Sequence, residues 1–265
     1  MRSLTSLALA LGLLALPTSI ATADEFSLGS ADCPLIEVPN AAPFGSGTCP
    51  GVRPGALVET PSGFCTMNFG FRGRKGARYI GTAGHCIISE ETGGERVWRG
   101  KTRGPIAKDS EGNPIGRFAY GILELEGEKD FALIKLFKNA KLNPSVCHFG
   151  GPTTINRSTT SRTTALSLFG NGLLLGEIVP ARTFIANGLP NRDHVSAVGA
   201  ALPGDSGGPV TDEQGGAVGV LVSFGLFLGG SDSGVIGITR LGPQIDRARQ
   251  QLRSGPLRLL TAPTR

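Results

Sequence analysis

The chain has 265 residues and a formal charge of +5, from 26 Lys and Arg against 21 Asp and Glu. That excess is modest and scattered, apart from Arg72-Gly73-Arg74-Lys75 and the stretch from Arg96 to Arg103. The basic residues therefore read as solvated loops, and a nucleic-acid partner is excluded. Forty glycines and 18 prolines argue against long helices and for strands joined by tight turns.

In chain order, residues 1–23 read as a signal peptide: Arg2 precedes an apolar run from Leu7 to Leu16, and Ala21-Thr22-Ala23 offers a small-residue cleavage site. The run is shorter than the ~20 residues a bilayer requires, so no membrane span is expected and the mature protein is read as secreted. Removal of Arg2 leaves 25 basic and 21 acidic residues, a charge of +4. Residues 24–54, rich in Pro, Gly, Ala and Ser, form an N-terminal extension or short propeptide.

From residue 55 the texture changes. Residues 63–69 alternate, residues 78–83 run apolar into His85, and residues 116–120 alternate again after the turn signal Glu111-Gly112-Asn113-Pro114. Asp130 opens the apolar run from Phe131 to Leu136, the pattern of a buried strand. This first series covers 55–140, and the polar stretch from Lys138 to Ser145 links it to a second over 150–255. Strand candidates there are 163–168, 173–179, 195–198, 209–210, 217–223 and 235–239. Ile245, Ala248 and Leu252 recur at helical spacing, so residues 243–253 form a helix expected to dock on the second half. The tail, 256–265, shows no element.

Five cysteines in an exported chain point to oxidation, and no paired C-x-x-C suggests zinc. Cys65 and Cys86 flank a hairpin and are paired. Cys33, Cys49 and Cys147 allow three alternative single bridges.

Three segments carry chemistry: Thr82-Ala83-Gly84-His85-Cys86, then Lys129-Asp130-Phe131, then Gly204-Asp205-Ser206-Gly207-Gly208-Pro209. An imidazole, a carboxylate and a glycine-flanked hydroxyl are the parts that turn a serine into a nucleophile at neutral pH. Each has a plainer reading: the Gly-Asp-Ser-Gly-Gly run as a turn, and the other histidines, His148 and His194, as solvated loop residues. Asp109, in Lys108-Asp109-Ser110-Glu111-Gly112-Asn113, fits an exposed turn better than it fits a site. Chain order separates the reaction classes. Gly204 to Gly208 also matches G-x-S-x-G, but no histidine follows Ser206; a subtilisin-type order would need Asp24 or Asp32 from the irregular N-terminal segment. The order His, Asp, Ser remains.

TAGHC, DFALIKL and GDSGGP in this order resemble the chymotrypsin/trypsin family of serine endopeptidases, over roughly residues 55–253. The resemblance implies an all-β fold of two packed antiparallel β-barrels with a short C-terminal helix. It implies Ser206 as nucleophile, His85 as general base and then acid, and Asp130 as the group orienting the imidazole. Gly204 and Ser206 N–H groups would form the oxyanion hole, and Cys65–Cys86 matches the family bridge beside the histidine. Ser223-Phe224-Gly225 is similar to the family's Ser-Trp-Gly segment, which pairs with an extended substrate, and Ala200 stands at the specificity position six before the serine. Without an acidic floor, cleavage after apolar or small residues is expected. No Ile-Val-Gly-Gly segment supplies an ammonium for Asp205. Similarity of residues 156–160 to a bacterial segment makes Arg157 the expected partner of Asp205, with Arg162 second. No metal or cofactor is implied. The expected partners are polypeptide substrates and proteinaceous inhibitors, and the chain is read as a monomer. The alternatives are an inactive protease-like binding or regulatory protein and a secreted esterase.

Overall fold

The structure is a computed structural model, and it describes residues 51–88, 96–98, 104–124, 129–158, 164–172, 181–187, 191–224, 235–252 and 255–264. Residues 1–50 lie outside the described residues, and with them the expected signal peptide and all of the 24–54 extension but its last four residues, of which Val52 bridges to Leu142.

The first sheet contains β1 (Leu57–Thr60), β2 (Gly63–Thr66), β3 (Gly70–Arg72), β4 (Arg78–Thr82), β5 (Arg96–Trp98), β6 (Ile106–Lys108), β7 (Pro114–Leu123) and β8 (Asp130–Leu136). The second contains β9 (Thr154–Ile155), β10 (Ala165–Phe169), β11 (Ala181–Ala186), β12 (His194–Val198), β13 (Pro209–Thr211), β14 (Gly216–Phe224) and β15 (Val235–Arg240); the chain then forms helix α1 (Leu241–Leu252) and returns to the first sheet with a last short strand, β16 (Arg258–Leu259). The first sheet runs β16-β3-β4-β8-β7-β6-β1-β2, with β5 on β7. The second runs β13-β10-β11-β12-β15-β14 and closes through β13–β14 pairing, with β9 alongside β14. The chain is thus two barrel-like sheets with one short C-terminal helix, as the motifs implied.

Local sequence explains these elements. Phe131, Ala132, Leu133 and Ile134 are all buried, which is why β8 reads as a continuous apolar run rather than an alternating one. The turn before β7 is held by Asp109, whose Oδ1 accepts N–H bonds from Glu111 and Asn113 at 3.0 and 2.9 Å, while Gly112 takes φ 80°. Asp109 is therefore a turn residue, as its neighbours suggested.

Several elements depart from expectation. Candidate strand 173–179 lies outside the described residues. The basic stretch from Arg96 begins with strand β5, and β11, which none of the strand candidates covered, pairs with β10 and β12 inside the second sheet. His194 is not a loop residue: it opens β12 opposite Thr239. His148 stacks on Phe169 with ring centroids 5.3 Å apart.

Helix α1 was expected to dock on the second half alone. Its Leu241, Ile245 and Ala248 instead join one apolar cluster with Phe118 and Phe131 of the first sheet and Val220 and Val222 of the second. The helix therefore packs across both. Its third residue, Pro243, sits where a helical N–H has no intrahelical acceptor, so proline costs nothing there. The tail also has structure. β16 pairs with β3, Leu257 is buried, and the Ala262 N–H donates to Pro152 O at 3.0 Å, tying the terminus to the segment between the two sheets.

Cys65 and Cys86 form a disulfide across 21 positions. Cys147 is also disulfide-bonded, with its partner outside the described residues. No helix among the described residues is long and apolar enough to cross a membrane.

Candidate active site

β4 ends at Thr82, and Ala83-Gly84-His85-Cys86 turns away from it with both ends restrained. The disulfide holds Cys86, and Thr82 Oγ1 donates to Thr66 O at 2.9 Å. Gly84 is required at this turn, because a Cβ there would stand 2.0 Å from Ile122 O. Asp130, the first residue of β8, is brought alongside. Its Oδ2 lies 2.6 Å from His85 Nδ1, and its Oδ1 accepts the N–H of His85 at 3.0 Å and that of Gly84. The Asp130 side chain is only 5% exposed, whereas that of His85 is 20% exposed. An ionised carboxylate can only accept, so Nδ1 is the donor in this pair and, in the neutral imidazole, Nε2 carries the lone pair.

Ser206 lies on the turn between β12 and β13. Gly207 packs against the end of β4: a Cβ on it would lie 2.3 Å from Thr82 Oγ1 and 2.9 Å from Ala83 N. Its φ of 91° also favours glycine. The turn is held largely by the first sheet. Thr66 N–H donates to Ser206 O at 2.8 Å, Thr66 Oγ1 donates to Gly204 O at 2.7 Å, and Asn68 Nδ2 donates to Gly207 O at 3.0 Å. Around the turn, the N–H groups of Asp205, Gly207 and Gly208 donate to Leu202 O, Leu221 O and Asp205 O. Among the described residues, those of Gly204 and Ser206 donate to nothing. Buried N–H groups are usually paired, so two without an acceptor among the described residues, beside a half-buried hydroxyl, stand out. The Ser206 hydroxyl itself makes no hydrogen bond among the described residues, so the direct contact with His85 that the motifs suggest is not made in this geometry.

Asp205 is completely buried, and its partner corrects the sequence reading. Arg182 NH2 donates to its Oδ1 at 2.6 Å, and the N–H groups of Gly172 and Leu202 donate at 2.7 and 2.8 Å. Burial pushes the Asp205 carboxyl up, and Arg182 and the two N–H donors pull against it. Gly170 and Gly172 make room, since a Cβ on either would come within 3 Å of this carboxylate. Arg157 instead pairs with Asp246 on α1 at 2.8 and 3.1 Å, half exposed. The Arg157 segment follows β9 and is drawn to the helix, whereas Asp205 is held by residues of and beside β10 and β11. Arg162 lies outside the described residues.

Of the other anticipated site residues, Ala200 is exposed on the stretch leading to the Ser206 turn, and Ser223 is exposed on β14. Phe224 closes β14, while Gly225 lies outside the described residues. The sequence reading missed Thr66, Asn68 and Arg182. Thr66 uses every polar group it has, since its Oγ1 also accepts the N–H of Asn171 at 3.1 Å. The signal for it was its position next to Cys65. The cluster of Cys65, His85 and Cys86 has donor atoms within 4.8 Å of one another, but both sulfurs are committed to the disulfide and offer no thiolate to a metal.

Two barrel-like sheets packed across a site of this composition define a chymotrypsin-like serine protease fold. The Trypsin family model matches residues 75–241, well over half of the chain, and the protein belongs to that family. Among solved structures, it is similar to protease A of Thermobifida fusca at 17% identity and TM-score 0.54, covering 79% of this chain and 98% of that one. It is similar to a glutamic acid specific serine protease at 14% identity and TM-score 0.55, covering 79% and 100%. The chymotrypsin of Cellulomonas bogoriensis aligns at 17% identity and TM-score 0.51, over 79% and 98%. At these identities the likeness speaks for the fold alone. A comparison with curated protein sequences finds no match.

Proposed function

We propose that the protein is a secreted serine endopeptidase that cleaves polypeptides through an acyl-enzyme. The observation that carries this reading is the three-bond grip of Asp130 on the Gly84-His85 turn, which fixes one imidazole tautomer beside the glycine-rich turn bearing Ser206. Ser206 Oγ attacks the scissile carbonyl carbon while its proton passes to His85 Nε2. The imidazolium keeps its Nδ1–H on Asp130, and the oxyanion is received by the open N–H groups of Gly204 and Ser206. Each such donor contributes ~3 to 4 kcal/mol in serine peptidases. The proton on Nε2 then goes to the leaving amine as the C–N bond breaks, and water repeats the sequence in reverse to release the acid. A rotation of the Ser206 side chain closes the remaining gap to His85; such contacts commonly tighten only when substrate is bound.

Asp205 and Arg182 serve this site structurally, by holding the turn that carries Gly204 and Ser206. With Ala200 at the specificity position, the acyl-side preference is for apolar or small side chains. Residues 1–23 act as the export signal.

A fluorophosphonate probe should label the mature protein, and Ser206→Ala and His85→Ala should each abolish labelling. Absence of labelling in the folded wild type would favour a non-catalytic binding protein, a reading motivated by the unbonded Ser206 hydroxyl. A peptide panel tests preference, and faster cleavage after Arg or Lys than after Phe, Leu or Ala would reject it. Comparing a peptide amide with a simple ester separates a peptidase from an esterase.

A further inference from the structure

A cluster of cations left unused by the active site lies at the far end of the same two strands that build it. β4 starts at Arg78 and ends next to the His85 turn; β8 starts at Asp130 and ends at Leu136. At the end remote from His85, a cleft of about 430 Å³ is lined by Arg74, Lys75, Arg78, Lys135 and Lys138, with Tyr79 and Leu136 supplying apolar surface. Among the described residues, no Asp or Glu lines it.

The arrangement concentrates positive charge. Arg258 on β16 stands directly opposite Arg72 on β3, and Arg72 directly opposite Arg78 on β4, so three guanidinium-bearing residues follow one another across neighbouring strands. Lys135, opposite Arg117 on the next rung, projects by strand alternation from the other face, so it is no member of this row although it lines the cleft. Like charges placed directly across a ladder repel, so this order is unfavourable unless an anion joins it. Among the described residues, Arg72, Arg74, Lys75, Lys135, Lys138 and Arg258 have no carboxylate partner. Arg78 donates to the carbonyls of Ala140, Phe137 and Lys138 at 2.7, 3.0 and 2.9 Å, which satisfies its hydrogen bonds without neutralising its charge. The turn before β4 adds a conformational signature: Lys75 takes φ 55°, a region non-glycine residues seldom occupy, and Gly76 follows at φ 74°.

We propose that this cleft is a second binding site, for an acidic polypeptide segment, and that it engages the substrate being cleaved; the second half rests on the endopeptidase reading. The concave shape and the Tyr79 and Leu136 surfaces suit carboxylate side chains interleaved with apolar ones. A duplex nucleic acid needs a longer stripe of cations to match its phosphates, and an anionic membrane needs a flat one. β8 spans six residue steps from Asp130 to Leu136, about 20 Å at ~3.3 Å each. An extended substrate therefore reaches the cleft with an acidic cluster about six residues from its scissile bond.

Binding is measured by fluorescence anisotropy on the full chain carrying Ser206→Ala, with a labelled peptide of Glu residues interrupted by Leu. Arg74→Glu, Lys75→Glu, Lys135→Glu and Lys138→Glu combined should weaken binding at least tenfold. The corresponding four Gln replacements, gentler on folding, should weaken it by a smaller factor, and raising salt should do the same to the wild type. Equal affinity in wild type and both variants would overturn the proposal. So would tighter binding to heparin, an RNA oligonucleotide or phosphatidylserine vesicles than to the acidic peptide. In the active protein, an acidic cluster six residues from the cleaved bond should lower KM at least fivefold relative to a Gln cluster, with kcat unchanged. That advantage should vanish in the four-site variants while hydrolysis of a short uncharged substrate persists. Charge-dependent binding without any hydrolysis would remove the peptidase reading and leave the site standing; hydrolysis without charge-dependent binding would do the reverse.

Discussion

Asp130 and Asp205 are two buried carboxylates with the same style of support and different work. Each accepts two backbone N–H groups and one side-chain nitrogen at 2.6 Å. They differ in that third partner. Asp130 faces an imidazole that is 20% exposed, a group that can act as donor or acceptor; Asp205 faces a guanidinium that is 7% exposed and can only donate. Under the proposed function, the comparison teaches that a buried acid serves a reaction through the chemistry and exposure of its partner, whereas the same carboxylate beside a permanent cation acts as a brace.

The substitution expected to act most strongly is Asp130→Asn. It removes the acceptor that selects the imidazole tautomer, and kcat on an ester or peptide substrate should fall by about ten-thousand-fold, the size known for this change in serine peptidases. Urea denaturation should show a much smaller proportional effect, and a loss of kcat no greater than the loss of folded protein would make Asp130 a brace as well.

Arg182→Met tests the other carboxylate. Leaving Asp205 buried and unpaired should cost about 3 to 5 kcal/mol in urea denaturation at pH 7. The pH dependence has a definite sign. Burial already raises the Asp205 carboxyl, and removing the cation raises it further, so ionisation opposes the folded state of the variant as pH rises through its folded-state value. The deficit should therefore shrink as pH falls through the carboxylate range, and a deficit that grows with acid would contradict this account.

Thr66→Val probes how the two carboxylate regions are joined. It strips the hydroxyl that donates to Gly204 O and accepts from Asn171 N, both buried or nearly so, and should cost about 1 to 3 kcal/mol while lowering kcat through the Ser206 turn. The smallest effect belongs to Arg157→Ala. Its pair with Asp246 is half exposed and should be worth under about 1 kcal/mol. Arg157 lowers the Asp246 carboxyl, so this contribution is present above the ordinary carboxylate range and is lost as pH falls through the lowered value. A multi-kcal loss from Arg157→Ala would restore it as a buried brace.

Legibility followed the range of the interactions. His85, Asp130 and Ser206 were readable because each sits in a short segment whose neighbours carry meaning: an apolar strand running into the histidine, another leaving the aspartate, and glycines around the serine. The barrels were readable from alternating and continuous apolar runs. Arg182 was not, because β11 has no periodicity that marks it and nothing local ties it to a carboxylate 23 positions later. Arg157 drew attention through a resemblance of its own neighbours, yet the nearest carboxylate in space is one turn into α1. The tail looked featureless because two residues of β16 gain meaning only from the edge of β3.

By itself, the sequence determined the parts list and the class of fold: residue types with the needed reactivity, strand periodicities, and a hairpin disulfide between Cys65 and Cys86. The tertiary structure decided the pairings, namely that Arg182 and not Arg157 meets Asp205, that Thr66 anchors the Ser206 turn, and that cations from two separate segments line one cleft. The physical reason is that reactivity and periodicity are properties of a residue and its immediate neighbours, whereas burying a charge or closing a hydrogen bond depends on which distant backbone the folding of two sheets brings within 3 Å.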